Sequence, residues 1–209
     1  MRGPQWLNFV MLLAAAIVLR SAHSAPVEGQ SDNGFTYSLE GKLLVASPRL
    51  MSNVFKQSVV LMIEHNESGA FGLIVNKPLG IAPKKRVYTE LGISGEDPQG
   101  TFTIFYGGPV APNMGFVIHD STLKGLATRQ VGIGLSVSDQ KSIVEALAAG
   151  VGPRRYAFVV GYTGWAAGQL ESELRRNDWV TAPLDRDIVL DHEHDTKWKR
   201  ATQSRYRNL

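Results

Sequence analysis

Residues Tyr156–Tyr162 read YAFVVGY, a continuous apolar run near the middle of the second half of the chain. A strand with one solvated face alternates hydrophobic and polar side chains, whereas a strand covered on both faces is apolar throughout. We therefore expect Tyr156–Tyr162 to be a central strand of a sheet. After this run the chain turns at Gly164 into a segment with helical spacing.

Shorter apolar runs separated by turn residues lie on the N-terminal side of this strand. Ser58–Ile63 (SVVLMI) and Phe71–Val75 flank a polar turn, which favours a β-hairpin. Turn residues also flank the other apolar runs that we predict to be strands. These are Leu43–Ala46, Thr101–Tyr106, Gly115–His119 and Val131–Val137.

Helical periodicity is found in fewer segments. Asp139–Ala149 has its apolar residues on one face, and Ser138 is the expected N-cap. A second helix is predicted from about Gly168 to Arg176, with Asn177 as its stop, and Val87–Leu91 fits a short helical turn. Because strands outnumber helices and do not alternate regularly with them, the sequence predicts an irregular α+β fold rather than a doubly wound one. Its sheet is expected to be mainly antiparallel, with a few flanking helices.

Length and composition exclude several classes of protein. A chain of 209 residues, with 44% hydrophobic and 20% charged residues, fits one globular domain and argues against general disorder. The absence of cysteine excludes disulfides, thiolate metal sites and cysteine nucleophiles. The net charge is +3, and about +1 remains once Arg2 and Arg20 of the predicted leader are removed, which argues against a nucleic-acid partner.

Residues 1–24 have the pattern of a signal peptide. The apolar run Leu7–Leu19 precedes small residues at Ala22 and Ser24, the spacing that a signal peptidase accepts. Its thirteen residues reach about 20 Å, less than the roughly 30 Å of a bilayer core, so this run is not expected to be a membrane-spanning helix. No stable membrane span is expected in the mature chain either. Arg20 opposes translocation, which leaves a misassigned start or an uncleaved anchor as alternatives. Residues 25–38 are predicted to be a linker, 39–201 the domain and 202–209 a basic tail.

The combined order and spacing of several separated segments are specific enough to indicate a protein family, although no single segment is. These are Gly41–Pro48, Phe55–Val60, Glu64–Asn66, Gly69–Leu79, Tyr106–Val110, Gly161–Trp165 and Gly168–Glu171. Together they resemble the YqgE/AlgH family over roughly residues 39–201. The resemblance implies a compact α+β fold with a bulged, barrel-like antiparallel sheet, in members that are usually cytoplasmic bacterial proteins without an agreed activity. AlgH itself is associated with regulation of alginate synthesis. The leader departs from this pattern, so export and a cytoplasmic location both stay open.

Two polar turns are candidate binding sites. Glu64-His65-Asn66 offers a carboxylate, an imidazole and an amide, but strand neighbours point to opposite faces, so we expect His65 and Asn66 to bond turn backbone instead. Gly107-Gly108-Pro109 could present backbone N–H groups to an anion. The proline removes one donor and no helix N-terminus follows, so a tight turn is the favoured interpretation.

The junction from Trp165 to Glu171 is the third candidate. Trp165 could stack on a ligand, with polar contacts from Gln169 and Glu171. The alternative is that Trp165 plugs the core and Glu171 interacts favourably with the helix dipole.

The C-terminal region has a histidine pair and a basic cluster. His192 and His194 would lie on one side of an extended segment, but a solvated segment without a functional metal is favoured. Lys197–Arg200 and Arg205–Arg207 could contact anionic lipid or nucleic acid, or form a helix whose Trp198 docks on the domain with its cations in water.

These patterns favour a non-enzymatic binding or regulatory protein without a cofactor, acting on an unknown protein or small-molecule ligand. The alternative is a hydrolase-like enzyme that uses the Glu64/His65 turn or the Trp165–Glu171 junction. No nucleophile elbow, zinc-binding His-Glu-x-x-His pair or dinucleotide fingerprint occurs. An enzyme would bring two or more candidate side chains together in one concave pocket. The candidates for this test are Glu64, His65, His119, Gln169 and Glu171.

Overall fold

Ten strands and five helices follow one another along the described part of the chain, residues 38–94, 98–120 and 128–204 of the computed structural model. The predicted leader and Arg205–Arg207 lie outside these residues. The strands are β1 (Leu43–Ala46), β2 (Val59–Asn66), β3 (Gly69–Ile74), β4 (Pro78–Pro83), β5 (Thr101–Tyr106), β6 (Val110–Asp120), β7 (Thr128–Gln130), β8 (Leu135–Asp139), β9 (Tyr156–Ala166) and β10 (Trp179–Ala182). The helices are α1 (Lys84–Glu90), α2 (Gln140–Ala148), α3 (Gln169–Arg175), α4 (Arg186–Leu190) and α5 (His194–Ser204). None of the helices in these segments is long and apolar enough to cross a membrane.

The strands form one curled sheet in the order β10-β1-β2-β3-β9-β6-β8-β7, from which β5 and β4 branch at β9. Every pairing is antiparallel except that of β5 with β9. The register shifts in three pairings, between Met62 and Glu64, Pro78 and Gly80, and Val110 and Gly115. The predicted α+β class with a bulged, mainly antiparallel sheet is therefore confirmed.

Strand β9 is the centre of this sheet, as its apolar sequence predicts. Its first half lies between β5 and β6, and its second half pairs with β3. Phe158 packs with α2 on one face, in the cluster that contains Ile143 and Val144. Val159 packs on the other face, inside the curl, in the cluster that contains Leu43 and Leu61. Because both faces of β9 are covered, its sequence is continuously apolar and does not alternate with polar residues.

The connection from β5 to β6 crosses β9 at Gly161, because β5 and β6 pair with opposite edges of that strand. A Cβ atom on Gly107 or Gly161 would come closer than 3.0 Å to backbone of the other segment, a distance that real Cβ atoms do not show. Glycine is therefore required where the two backbones cross. The prediction of a tight turn at Gly107-Gly108 was wrong, because these residues form the crossing and bond distant strands rather than a local turn.

Two other local predictions were wrong. Ser138 does not cap α2: it is a buried residue of β8 opposite Val117, and the Asp139 carboxylate accepts the hydrogen bond from the Ser142 N–H at 2.9 Å. Pairing with β6 extends the strand by one residue beyond the local helix signal. His192 and His194 do not share one side of an extended segment, because His194 begins α5.

Candidate functional site

A groove of about 560 Å³ opens where β3, β6 and β9 meet. It is lined by Ala70, Phe71, Val110, Met114, Phe116, Tyr162, Gly164 and Trp165, and we call it the aromatic groove. Its volume lies within the roughly 300–1,000 Å³ of small-molecule sites and its lining is mostly apolar, but the groove is open to solvent over most of its extent rather than enclosed.

Phe71 is the ring at the centre of the aromatic groove. Its centroid lies 4.9 Å from that of Tyr162 and 5.9 Å from that of Phe116. Gly164 lies opposite Phe71 in the β3–β9 register, so no side chain covers the ring from that position. The register shift in β6 leaves the side chain of Met114 exposed at the rim. An aromatic floor with a polarisable thioether beside it suits an apolar ligand of variable shape.

An ion-pair network lies beside the aromatic groove. Glu64 is opposite Phe71 in the β2–β3 register, so both side chains are on the same face. The Arg129 guanidinium donates to Glu64 Oε2 at 2.9 Å and to Glu40 Oε2 at 3.2 Å. Two carboxylates against one guanidinium leave a net negative charge. Sequence reasoning did not single out Arg129, because nothing along the chain links β7 to β2.

His65 points to the opposite face from Glu64 and is almost fully buried. Its Nδ1 accepts a hydrogen bond from the Leu39 N–H at 3.1 Å, and its Nε2 lies 2.8 Å from Glu171 Oε1. Because a backbone N–H can only donate, Nδ1 is unprotonated and Nε2 donates to the carboxylate. The prediction that His65 bonds turn backbone was wrong, since Leu39 lies outside the turn. Asn66 does so, because its Oδ1 accepts from the Ser68 N–H at 2.8 Å.

The Trp165–Glu171 junction is a closed hydrogen-bond network centred on Glu173. Glu173 Oε2 accepts from the indole N–H groups of Trp165 at 2.9 Å and Trp179 at 2.7 Å. Gln169 donates to Glu173 Oε1 at 2.9 Å and accepts from the Ala166 N–H at 3.1 Å. Trp165 is a buried core residue whose ring also forms part of the groove wall. Sequence reasoning missed Glu173, although its position one helical turn after Gln169 was a usable signal.

The backbone at Gly107 has little capacity for an anion. Its N–H donates to Val160 O at 2.8 Å, and its carbonyl accepts from the Ile74 N–H at 3.0 Å and from Thr163 Oγ1 at 3.2 Å. These bonds hold the crossing together. Gly107 and Gly108 are both buried by it.

His119 and Ser138 form a buried pair that resembles a nucleophile with its base. His119 Nδ1 donates to the Asp120 carbonyl at 2.8 Å, so Nε2 accepts from the Ser138 hydroxyl at 2.9 Å. Burial lowers the pKa of His119, which keeps the ring neutral. Neither residue is accessible to a substrate, so the pair stabilises the contact between β6 and β8.

Helix α5 is anchored by Lys197 and Trp198. The buried Lys197 ammonium donates to Val189 O at 2.9 Å and Val75 O at 3.1 Å, and lies 5.2 Å from the Phe105 ring centroid. Burial lowers the pKa of Lys197 to about 8. The Trp198 indole donates to Ala46 O at 2.8 Å. This confirms a helix whose Trp198 docks on the domain, but the expectation that its cations lie in water is wrong for Lys197, which is fully buried.

The candidate side chains therefore converge only in part. His65 and Glu171 meet directly, but neither they nor Glu64, His119 and Gln169 belong to the lining of the aromatic groove. Within residues 38–94, 98–120 and 128–204, no group of three or more His, Asp or Glu side chains is placed to hold a metal ion.

Comparison with known proteins identifies relatives along nearly the whole domain. A family model described as AlgH-like matches residues 43–208. A UPF0301 protein of Methylococcus capsulatus is 37% identical over 174 residues, which are 83% of this chain and 92% of that protein. A UPF0301 protein of Xanthomonas oryzae pv. oryzae is 39% identical over 164 residues, which are 78% of this chain and 87% of that protein.

Two solved structures share the fold. The solution structure of AlgH from Pseudomonas aeruginosa matches with a TM-score of 0.66 and 34% identity, over 84% of this chain and 92% of that one. A protein of Corynebacterium diphtheriae matches with a TM-score of 0.61 over 77% of this chain and 84% of its own, and at 23% identity it shows the fold alone. The names of these proteins specify no reaction, ligand or partner. The family model and the relatives show that this chain belongs to the AlgH-like family, which confirms the resemblance found in its sequence.

Proposed function

We propose that this chain is a non-catalytic binding protein that holds the apolar part of a small molecule in the aromatic groove, with a regulatory role as the consequence of binding. The observation that carries the proposal is the groove itself, whose lining is mostly apolar and offers aromatic ring contacts. Such walls favour association through apolar burial and ring stacking.

The hydrogen bonds that the polar side chains already form support ligand binding rather than catalysis. His65 Nδ1 is occupied by a backbone N–H and Nε2 by Glu171, so neither ring nitrogen is available as a base. His119 is buried with Ser138. General acid–base catalysis requires a titratable group within hydrogen-bond reach of the substrate, and the lining of the groove provides only the Tyr162 hydroxyl.

The charge beside the groove restricts the class of ligand. Glu64 and Glu40 outnumber Arg129 in the adjacent network, so an anionic ligand would be repelled. The proposal is therefore a neutral or cationic molecule with one aromatic-sized apolar part.

The test is titration with N-phenyl-1-naphthylamine, a neutral dye that fluoresces in apolar sites. The double variant Val110→Gln/Met114→Gln changes two exposed lining residues without touching the core, and we expect it to weaken dye binding about tenfold by reducing apolar contact. Ile133→Gln is the matched control, since Ile133 is 88% exposed and does not line the groove. Equal binding by the wild type and the double variant would contradict the proposal.

The enzymatic alternative rests on the contact between His65 and Glu171. It predicts hydrolysis of an activated ester such as p-nitrophenyl acetate, with the rate lost in Glu171→Gln. The binding proposal predicts no difference between that variant and the wild type, because Glu171 has a structural role.

A further inference from the structure

The rings of the aromatic groove are inclined to one another. Phe71 and Tyr162 meet in a T-shaped contact with 75° between the ring planes, and the planes of Phe71 and Phe116 are inclined at 52°. In a T-shaped contact the edge of one ring lies against the face of the other, so these rings do not form one flat stack. Phe71 and Tyr162 are both half-buried, so part of each ring remains open to a ligand.

Gly164 keeps the space beside these rings open. It is exposed, lines the groove and lies opposite Phe71 in the β3–β9 register. The nearest neighbours of a Cβ atom at Gly164 would be two carbons of the Tyr162 ring, at 3.4 and 3.9 Å, and the Ala70 carbonyl oxygen at 3.9 Å. These are ordinary van der Waals distances, so a ligand methyl group fits over Gly164 in contact with Tyr162.

The charge beside the groove favours a cation. Of the eight described residues that line it, none has a charged side chain. Glu64 is opposite Phe71 in the β2–β3 register, so its side chain lies next to this ring on the same face, with about 5 Å between the Cβ atoms. Arg129 pairs with both Glu64 and Glu40, and two carboxylates with one guanidinium sum to a charge of −1. The network therefore stays negative although each of its members has a partner.

We infer that the aromatic groove binds the trimethylammonium group of a choline-like molecule. The inference rests on the proposed binding function and names the chemical class of its ligand. Aromatic ring faces attract cations, and quaternary ammonium groups are recognised in this way. A primary amine fits less well, because its N–H groups need acceptors and the Tyr162 hydroxyl is the only side-chain oxygen among the described lining residues. A trimethylammonium group has no N–H group, and its methyl groups contact the rings directly.

Choline and 3,3-dimethylbutan-1-ol separate the effect of charge from that of shape. The alcohol has the shape of choline, with a neutral carbon atom in place of the nitrogen. Each compound is titrated at constant ionic strength into the full chain labelled with nitrogen-15, and the chemical shift of the Gly164 backbone amide reports occupancy of the groove. Choline should bind at least about fivefold more tightly than the alcohol, the contribution of cation–π contacts at a partly exposed site.

Two variants test the charge and the ring separately. Glu64→Gln removes one negative charge and keeps an oxygen for the Asn66 amide, which donates to Glu64 Oε1 at 2.8 Å. It should weaken choline binding about threefold, the effect of one unit charge at roughly 7 Å in water, and leave binding of the alcohol unchanged. Glu145→Gln is the matched control, since Glu145 is an exposed glutamate of α2 that pairs with Lys141 and does not line the groove. Phe71→Leu keeps an apolar side chain without a ring face, so it should reduce the preference for choline over the alcohol.

The outcomes distinguish this inference from the proposed function. If N-phenyl-1-naphthylamine binds but choline binds no more tightly than the alcohol, the inference is overturned and the proposed function stands. Equal choline affinities of Glu64→Gln and Glu145→Gln would also overturn the inference, because the charge beside Phe71 would then have no specific effect. If neither the dye nor choline binds, the proposed function and the inference both fail.

Discussion

Replacing Gly161 by alanine tests whether the crossing of β9 determines the fold. Gly161 has φ of 72°, and its Cβ would meet the Gly108 carbonyl at less than 3.0 Å. Gly150, at the end of α2, has the same φ of 72° with no atom within 4 Å of its Cβ position. The two substitutions therefore carry the same left-handed backbone cost and differ in the steric contact alone.

The expected costs follow from this comparison. Gly150→Ala should reduce the free energy of unfolding by about 1–2 kcal/mol, the cost of a left-handed alanine. Gly161→Ala has the same cost and must also move the Gly107–Gly108 backbone away from β9, which weakens the hydrogen bonds from the Gly107 N–H to Val160 and from Thr163 Oγ1 to Gly107. Each bond contributes about 1 kcal/mol, and overpacking costs about 1–3 kcal/mol more. The total for Gly161→Ala is about 4–7 kcal/mol.

Urea denaturation followed by circular dichroism measures both variants, with the difference taken from the transition midpoints. If Gly161→Ala is too unstable to purify while Gly150→Ala folds normally, that outcome also supports the larger cost predicted for Gly161→Ala. Losses that agree within about 1 kcal/mol would refute the argument, because the crossing would then have no steric cost.

Three further predictions concern the core, the anchor of α5 and the leader. Trp165→Ala should cost about 3–5 kcal/mol, as truncation of a buried aromatic residue does, and a loss below about 1 kcal/mol in urea denaturation would contradict its role in the core. Lys197 has its pKa lowered to about 8 from 10.5, so between these values the unfolded chain binds more protons than the folded chain. The destabilisation by the buried charged Lys197 is complete below pH 8 and disappears as the pH rises to 10.5. The free energy of unfolding should therefore increase between pH 8 and 10.5 in the wild type and not in Lys197→Met. Equal pH profiles of the two proteins would contradict this prediction. Intact-mass measurement of the protein from its native host should show cleavage near Ser24, and a mature chain that still begins at Met1 or Met11 would exclude this cleavage.

The pattern of apolar residues along the chain determined the fold class and the main strands. The predicted Leu43–Ala46 coincides with β1, and the run Tyr156–Tyr162 is the first part of the central strand. Both could be recognised because burial on two faces leaves a signal within a few consecutive residues. Strand β4 was not predicted, since proline at both ends is compatible only with the margin of a sheet, and a margin exists only once the sheet is assembled.

The site was decided by the tertiary structure. The aromatic groove takes Phe71 from β3, Met114 and Phe116 from β6, and Tyr162 from β9. Phe71, Phe116 and Tyr162 each have the sequence signal of an ordinary core residue, and Met114 lies outside the predicted strands. Arg129 meets Glu64 only because the curl of the sheet brings β7 to β2. Local sequence specifies which residues are apolar and where the chain turns, whereas register, crossing and curl depend on contacts between residues far apart in the chain, and these contacts determine which side chains surround the groove.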